Sequence, residues 1–163
     1  MKEGGILIRS VEATDNEVLA TVIYSILDEL EVPKKGSTYE DEELKRMFES
    51  FSVSRSHYFV VEVDGKVVGG GGIMPLKNGS ADTCELQKMY LLKETRGMGI
   101  GSNLIEVCLQ KAREFDFSYC YLETLTSMKA AQQLYIKSGF TYLKERMGDT
   151  GHCVCPVWMI KEL

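Results

Sequence analysis

The 163-residue sequence predicts a single α/β domain built on a sheet of mixed direction. Three observations lead there. Short apolar runs alternate with stretches of helical periodicity. A strand–helix–strand unit is centred on a glycine-rich loop and should be parallel and right-handed. No linker, low-complexity tract or internal repeat divides the chain. A hydrophobic fraction of 44% is ample for one core, and the length is short for two domains.

The elements follow in order. Ile6 to Val11 is a short apolar run suited to a first strand. Asp15 then offers a helix cap, and Val18, Leu19, Val22, Ile23, Ile26, Leu27 and Leu30 recur at helical spacing. Pro33 to Ser37 is a break, and Leu44, Met47, Phe48 and Phe51 mark the apolar side of a second amphipathic helix. Tyr58 to Val63 and Lys66 to Ile73 are strands joined by Asp64-Gly65, a tight-hairpin dipeptide. The second of these carries Gly69-Gly70-Gly71-Gly72. Glycine costs backbone entropy inside a strand, so the run marks a bulge or a close approach by another group. Asn78-Gly79 is a turn, Thr83 to Leu92 a strand, and Gly97 to Glu114 a long helix. Tyr119 to Leu125 is a strand, Ser127 to Lys137 a helix, and Phe140 to Leu143 and Val154 to Ile160 are closing strands.

Composition excludes some function classes. Charged residues make up 26%, with a formal net charge of −5 and a pI near 5.2. A sequence-independent grip on nucleic acid is not expected, whereas a cationic amine would be tolerated. No apolar run approaches the roughly 20 residues that cross a bilayer. Met1-Lys2-Glu3-Gly4-Gly5 lacks the apolar segment of a signal peptide, so the expected address is the cytoplasm. Cys84, Cys108, Cys120, Cys153 and Cys155 are odd in number and irregular in spacing, as expected of reduced thiols. His152-Cys153-Val154-Cys155 has no second Cys/His pair to complete a zinc site. The cysteines there read as small side chains on a late strand, and no metal is expected.

The informative stretch joins a strand to a helix. In Arg96-Gly97-Met98-Gly99-Ile100-Gly101, three glycines free the backbone to turn its N–H groups inward. The following helix adds unpaired N–H groups and a partial positive charge, which together make an anion site suited to phosphates. Arg96 can add a bidentate contact. The loop lacks the Gly-Lys-Ser/Thr ending of a nucleoside triphosphatase loop and the spacing of a dinucleotide fingerprint. A glycine-rich turn that only begins a helix is the alternative.

This segment resembles the pyrophosphate loop of the GNAT superfamily of N-acetyltransferases, Gln/Arg-x-x-Gly-x-Gly/Ala, which Arg96, Gly99 and Gly101 match. Downstream, Ala131-Gln132-Gln133-Leu134-Tyr135-Ile136-Lys137-Ser138-Gly139-Phe140 resembles the family's Ala-x-x-Leu-Tyr-x-x-x-Gly-Phe helix and turn. The element order matches over nearly the whole chain. The resemblance implies a mostly antiparallel sheet of about seven strands with a splayed central parallel pair and about four helices. It also implies acetyl-CoA as co-substrate, its pantetheine arm on the backbone of Met89, Tyr90 and Leu91. The diphosphate would lie on the N–H groups of Gly97, Met98, Gly99, Ile100, Gly101 and Ser102. One departure is Met128, which stands where the family often places a cofactor-contacting asparagine.

Acetyl transfer to an amine needs a base for the ammonium, an acid for the departing thiolate and a stabilised oxyanion. Glu85 is the leading base. It stands eleven residues before Arg96, the spacing at which the histone acetyltransferase branch resembled here places its glutamate. Alternation would put Glu85, Gln87, Met89 and Leu91 on one face. The alternative is an ordinary surface carboxylate. Glu123, in Tyr121-Leu122-Glu123-Thr124, is the rival base, since apolar flanks would desolvate it. Tyr135 matches the family tyrosine aimed at the thioester sulfur and is the expected acid, with a packed core aromatic as the alternative. No motif ties His57 or His152 to Cys84 or Cys120, so direct transfer is expected over an acyl-enzyme. The acceptor is expected to be a small-molecule primary amine, with no nucleic acid or membrane partner, and a homodimer is allowed. Its pocket should be built from Ile23 to Phe51 and Arg146 to Pro156. A non-catalytic acyl-CoA-binding regulator on the same fold is the second hypothesis.

Overall fold

A computed structural model describes residues 2, 3 and 5–163, so Met1 and Gly4 of the N-terminal stretch lie outside the described residues. The strands are β1 (Lys2–Glu3), β2 (Ile6–Ser10), β3 (His57–Val63), β4 (Lys66–Pro75), β5 (Thr83–Leu91), β6 (Tyr119–Thr124), β7 (Thr141–Leu143) and β8 (Val157–Glu162). The helices are α1 (Asn16–Glu29), α2 (Met47–Ser50), α3 (Ile100–Glu114) and α4 (Lys129–Lys137). The sheet order is β1-β2-β3-β4-β5-β6-β8-β7. Every pairing is antiparallel except β5 with β6, joined by the crossover helix α3. The expected mixed, mostly antiparallel sheet with four helices is present, with the two-residue β1 as an extra edge.

Both faces of the sheet are covered, which β3 shows most directly. Its alternate residues Tyr58 and Val60 join the core with Leu19, Ile23 and Leu27 of α1. Phe59 and Val61 join the opposite core with Leu104, Ile105 and Cys108 of α3. A period of two along a strand buried on both sides produces this division.

Several local expectations are corrected. Asp15 stands at the N-cap position of α1 but its side chain makes no bond to that helix: it ends a short 3-10 turn, Ala13–Asp15, and its carboxylate accepts two bonds of 2.8 Å from Arg9 and one of 2.7 Å from Glu12 N. The second amphipathic helix is broken into 3-10 turns at Thr38–Glu40 and Glu42–Lys45 and the single turn α2. Leu44, Met47 and Phe51 are still buried, but Phe48 is exposed. The chain leaves helical geometry at Asp41 (φ −69°, ψ 117°) and again at Arg46 (φ −139°, ψ 50°), which separate the three pieces. Helix α3 starts at Ile100, since Gly97 (φ 80°) and Gly99 (φ 79°) are left-handed. The last strand starts at Val157, so Cys153 and Cys155 precede it in a turn; all five cysteines are free thiols.

The glycine run answers to both of its expected causes. β4 shifts register against β5 between Gly70 and Gly72, where Lys88 takes a left-handed conformation (φ 50°) and forms a bulge. The ring of Tyr58 lies against the same strand. A Cβ on Gly70 would stand 2.6 Å from Tyr58 Cε1, and one on Gly72 would stand 2.7 Å from Tyr58 Cδ2.

Candidate active site

The parallel strands part soon after they meet. β5 and β6 are paired only at Thr83–Tyr119, Cys84–Cys120 and Glu85–Tyr121. Beyond that rung β6 continues alongside β8, while β5 runs on with β4 to Leu91. A cavity of about 550 Å³ opens between them, bounded at one end by the loop from Arg96 to Ser102 and at the other by Glu85, Glu123 and His152.

At the loop end, Gly97, Gly99, Gly101 and Ser102 line the cavity, as does the segment Met89-Tyr90-Leu91 of β5. Left-handed Gly97 and Gly99 turn the backbone into the start of α3, whose first N–H groups have no intrahelical partner. Met98 points outward and is half exposed, and Ile100 is buried in the core. Any contact from these two is therefore through the main chain. Gly101 packs closely on α4: a Cβ there would stand 2.7 Å from Leu134 Cδ2, so the leucine would have to shift. Arg96 borders the cavity but its guanidinium is engaged, bonded to Leu91 O at 3.0 Å and to Glu29 of α1 at 2.6 Å. Met128 lines the cavity and its sulfur accepts a bond from Thr124 Oγ1 at 3.3 Å. A thioether cannot make the amide contact of an asparagine.

At the opposite end the bulge rearranges the expected face of β5. Glu85 and Gln87 lie on one side, Gln87 Nε2 donating to Glu85 Oε1 at 2.6 Å, whereas Met89 and Leu91 pack into the α3 core. The extra residue at Lys88 reverses the alternation, so the four do not share a face. Glu85 is not a surface carboxylate: it is 4% exposed. Burial pushes its carboxyl up to about 7; the bond from Gln87 opposes the rise and the charge of Glu123 adds to it.

Glu123 is held on both oxygens. Tyr121 Oη donates to Oε2 at 2.6 Å, Thr150 Oγ1 donates to Oε1 at 2.5 Å, and Arg146 Nε stands 3.5 Å from Oε2. Tyr135 is buried, edge-on to Phe140 with ring centroids 5.9 Å apart, and it lines the cavity. Burial drives its phenol well above the ordinary range, so it stays protonated and able to donate.

Three residues that sequence reasoning did not tie to this site meet here. His152 Nε2 lies 2.9 Å from Asp41 Oδ2 and 3.1 Å from Oδ1. Lys88 Nζ is 2.9 Å from the same Asp41 Oδ2, with the lysine side chain almost fully buried. Burial alone would lower His152, but the bond and charge of Asp41 raise it above its usual value. Burial alone would raise Asp41, but His152 and Lys88 outweigh it and hold the carboxyl low. Residues 41, 88 and 152 carry no joint motif, so sequence spacing held no signal for this cluster.

The comparisons with known proteins agree with this geometry. The model of the acetyltransferase (GNAT) family matches residues 23–140. The N-acetyltransferase YjgM of Escherichia coli is 40% identical over 158 residues, spanning 96% of this chain and 95% of that protein. A GNAT-family acetyltransferase structure from Staphylococcus aureus superimposes with a TM-score of 0.84 at 21% identity, covering 97% of this chain and 99% of that one. An acetyltransferase from Salmonella typhimurium, solved with its cofactor acetyl-CoA, superimposes with a TM-score of 0.79 at 16% identity over 98% and 94% of the two chains. Glycine loop, splayed strands, family match and full-length relative converge: this chain belongs to the GNAT family of acetyltransferases and is an acyltransferase.

Proposed function

We infer that the chain transfers the acetyl group of acetyl-CoA directly to a primary amine of a small molecule, with Glu85 as base and Tyr135 as acid. The observation that carries this reading is the position of Glu85. It is buried at the last paired rung of the parallel strands, on the cavity wall, with its carboxyl lifted to about 7. A base of that strength is matched to neutral pH.

The cofactor's diphosphate would lie on the N–H groups from Gly97 to Ser102 and its arm along Met89 to Leu91, leading the thioester toward Tyr135. Glu85 takes a proton from the ammonium, directly or through water. The neutral nitrogen attacks the thioester carbonyl, and the tetrahedral intermediate collapses by breaking the C–S bond. Tyr135 then gives its proton to the departing sulfur, because its phenol is held protonated by burial. The extra proton on the acylated nitrogen passes through water to the phenolate, leaving the neutral amide and restoring the phenol. Glu123 is the weaker candidate for base, since both of its oxygens already accept hydrogen bonds.

A covalent acyl-enzyme is disfavoured. Cys155 is a thiol on the cavity wall, and burial pushes it up to about 12, leaving little nucleophilic thiolate at neutral pH. Thiol release from acetyl-CoA with a panel of small amines tests the whole reading. Release with at least one primary amine, lowered in Glu85→Gln, is the expected result. CoA binding without turnover on any amine would favour the acyl-CoA-binding regulator instead.

A further inference from the structure

One cluster in the cavity goes beyond an acid and a base. A carboxylate oxygen of Glu85, one of Glu123 and a ring nitrogen of His152 all lie within 4.8 Å of one another. Glu85 is almost fully buried, and its Oε2 has no hydrogen-bond partner among the described residues. The Glu123 side chain is only 1% exposed. Two buried carboxylates with a spare acceptor position call for a cation bearing N–H groups.

We propose that Glu85, Glu123 and the neutral imidazole of His152, whose Nε2–H is given to Asp41, form a cage for a primary ammonium, one acceptor for each N–H. The acceptor substrate is then a primary alkylamine that enters charged and is selected over secondary amines before Glu85 removes a proton. This deepens the acetyl-transfer reading and rests on it for its place in the reaction. Tetrahedral N–H bonds of about 2.9 Å set their acceptors roughly 4.7 Å apart, a span that fits within the cluster. Glu123 can join the cage: Tyr121 and Thr150 leave a lone pair on Oε1 for one more donor. Asp41 anchors the imidazole from behind, and Lys88 anchors Asp41. A secondary ammonium has two N–H groups and leaves one buried acceptor unpaired, which is costly.

The test is calorimetric titration of the free protein with n-butylamine and with N-methylbutylamine. The wild type should prefer butylamine by about tenfold, the scale of one hydrogen bond to a charged group. His152→Leu should bring that preference close to unity, with its melting transition intact. Glu85→Gln, an isostere, is the second variant should the first fail to fold, and it should weaken butylamine by about tenfold or more. No butylamine binding, equal affinity for the two amines, or a preference that survives these changes overturns the cage. So does Zn²⁺ binding through His152 that excludes the amine. Thiol release separates the two proposals: selective binding without turnover sinks acetyl transfer alone, and turnover without primary-amine preference sinks the cage alone.

Discussion

Tyr58 Oη donates to the carbonyl oxygen of Lys88 at 2.7 Å, across the strand β4 that separates them in the sheet. The bond fixes the bulge that turns Glu85 and Gln87 to one side of β5 and Met89 to the other. The ring reaches Lys88 only because Gly70 and Gly72 carry no side chains. Tyr58→Phe leaves that carbonyl unpaired and should cost about 1–3 kcal/mol. Gly72→Ala forces a Cβ to within 2.7 Å of the ring and should cost a similar amount, about 1–3 kcal/mol, by overpacking. Urea unfolding measures both; unchanged midpoints would show that the bulge holds itself.

Glu85 should set the alkaline-rising limb of the rate. Its carboxyl titrates near 7, so kcat/KM is expected to rise with pH through that value as the base ionises. In Glu85→Gln the rate should fall most below the amine's pKa and the limb should disappear. If Glu123→Gln behaves that way instead, the roles of the two glutamates are exchanged.

The same shift has a stability consequence of definite sign. The folded protein holds the Glu85 proton up to about 7, while an unfolded chain releases it near the ordinary glutamate value of 4.5. Between those values the native state binds more protons, so this group's contribution to stability falls as pH rises. The difference is worth up to about 3 kcal/mol above neutrality. Glu85→Gln should therefore gain Tm relative to wild type at pH 8 and lose that advantage near pH 4. An equal difference at both pH values would mean that the carboxyl is not desolvated in solution.

Gly99 is left-handed and a Cβ there would meet no atom within 4 Å, yet the residue lines the loop end of the cavity. Gly99→Glu adds backbone strain of about 1 kcal/mol and a negative charge at the anion site. It should abolish CoA binding, measured by calorimetry. Retained affinity would remove the loop from the phosphate site.

Tyr135→Phe should lower kcat more than it changes the CoA dissociation constant, because the ring's packing against Phe140 is kept while the hydroxyl is lost. A parallel loss in both would make Tyr135 a packing residue alone.

Much of the fold was legible because local patterns carry it. Helical patterns located α1, α3 and α4, and apolar runs located every strand except the two-residue β1 to within a few residues. The glycine loop was legible because three glycines at alternate positions have few other uses. The broken second helix was not: Leu44, Met47 and Phe51 keep helical spacing, and the chain leaves helical geometry between them at Arg46 (φ −139°, ψ 50°), which carries no breaker signal.

By itself, then, the sequence determined the order of elements, the glycine loop that opens α3 and the family's two motifs, since each is a property of neighbouring residues. The tertiary structure decided what the glutamates are. Glu85 gains its burial and raised carboxyl from where β5 and β6 part, and a single bulged residue at Lys88 sets which side chains join it. His152 reaches Asp41 across 111 positions of chain, a separation at which pairing depends on packing and leaves no local trace.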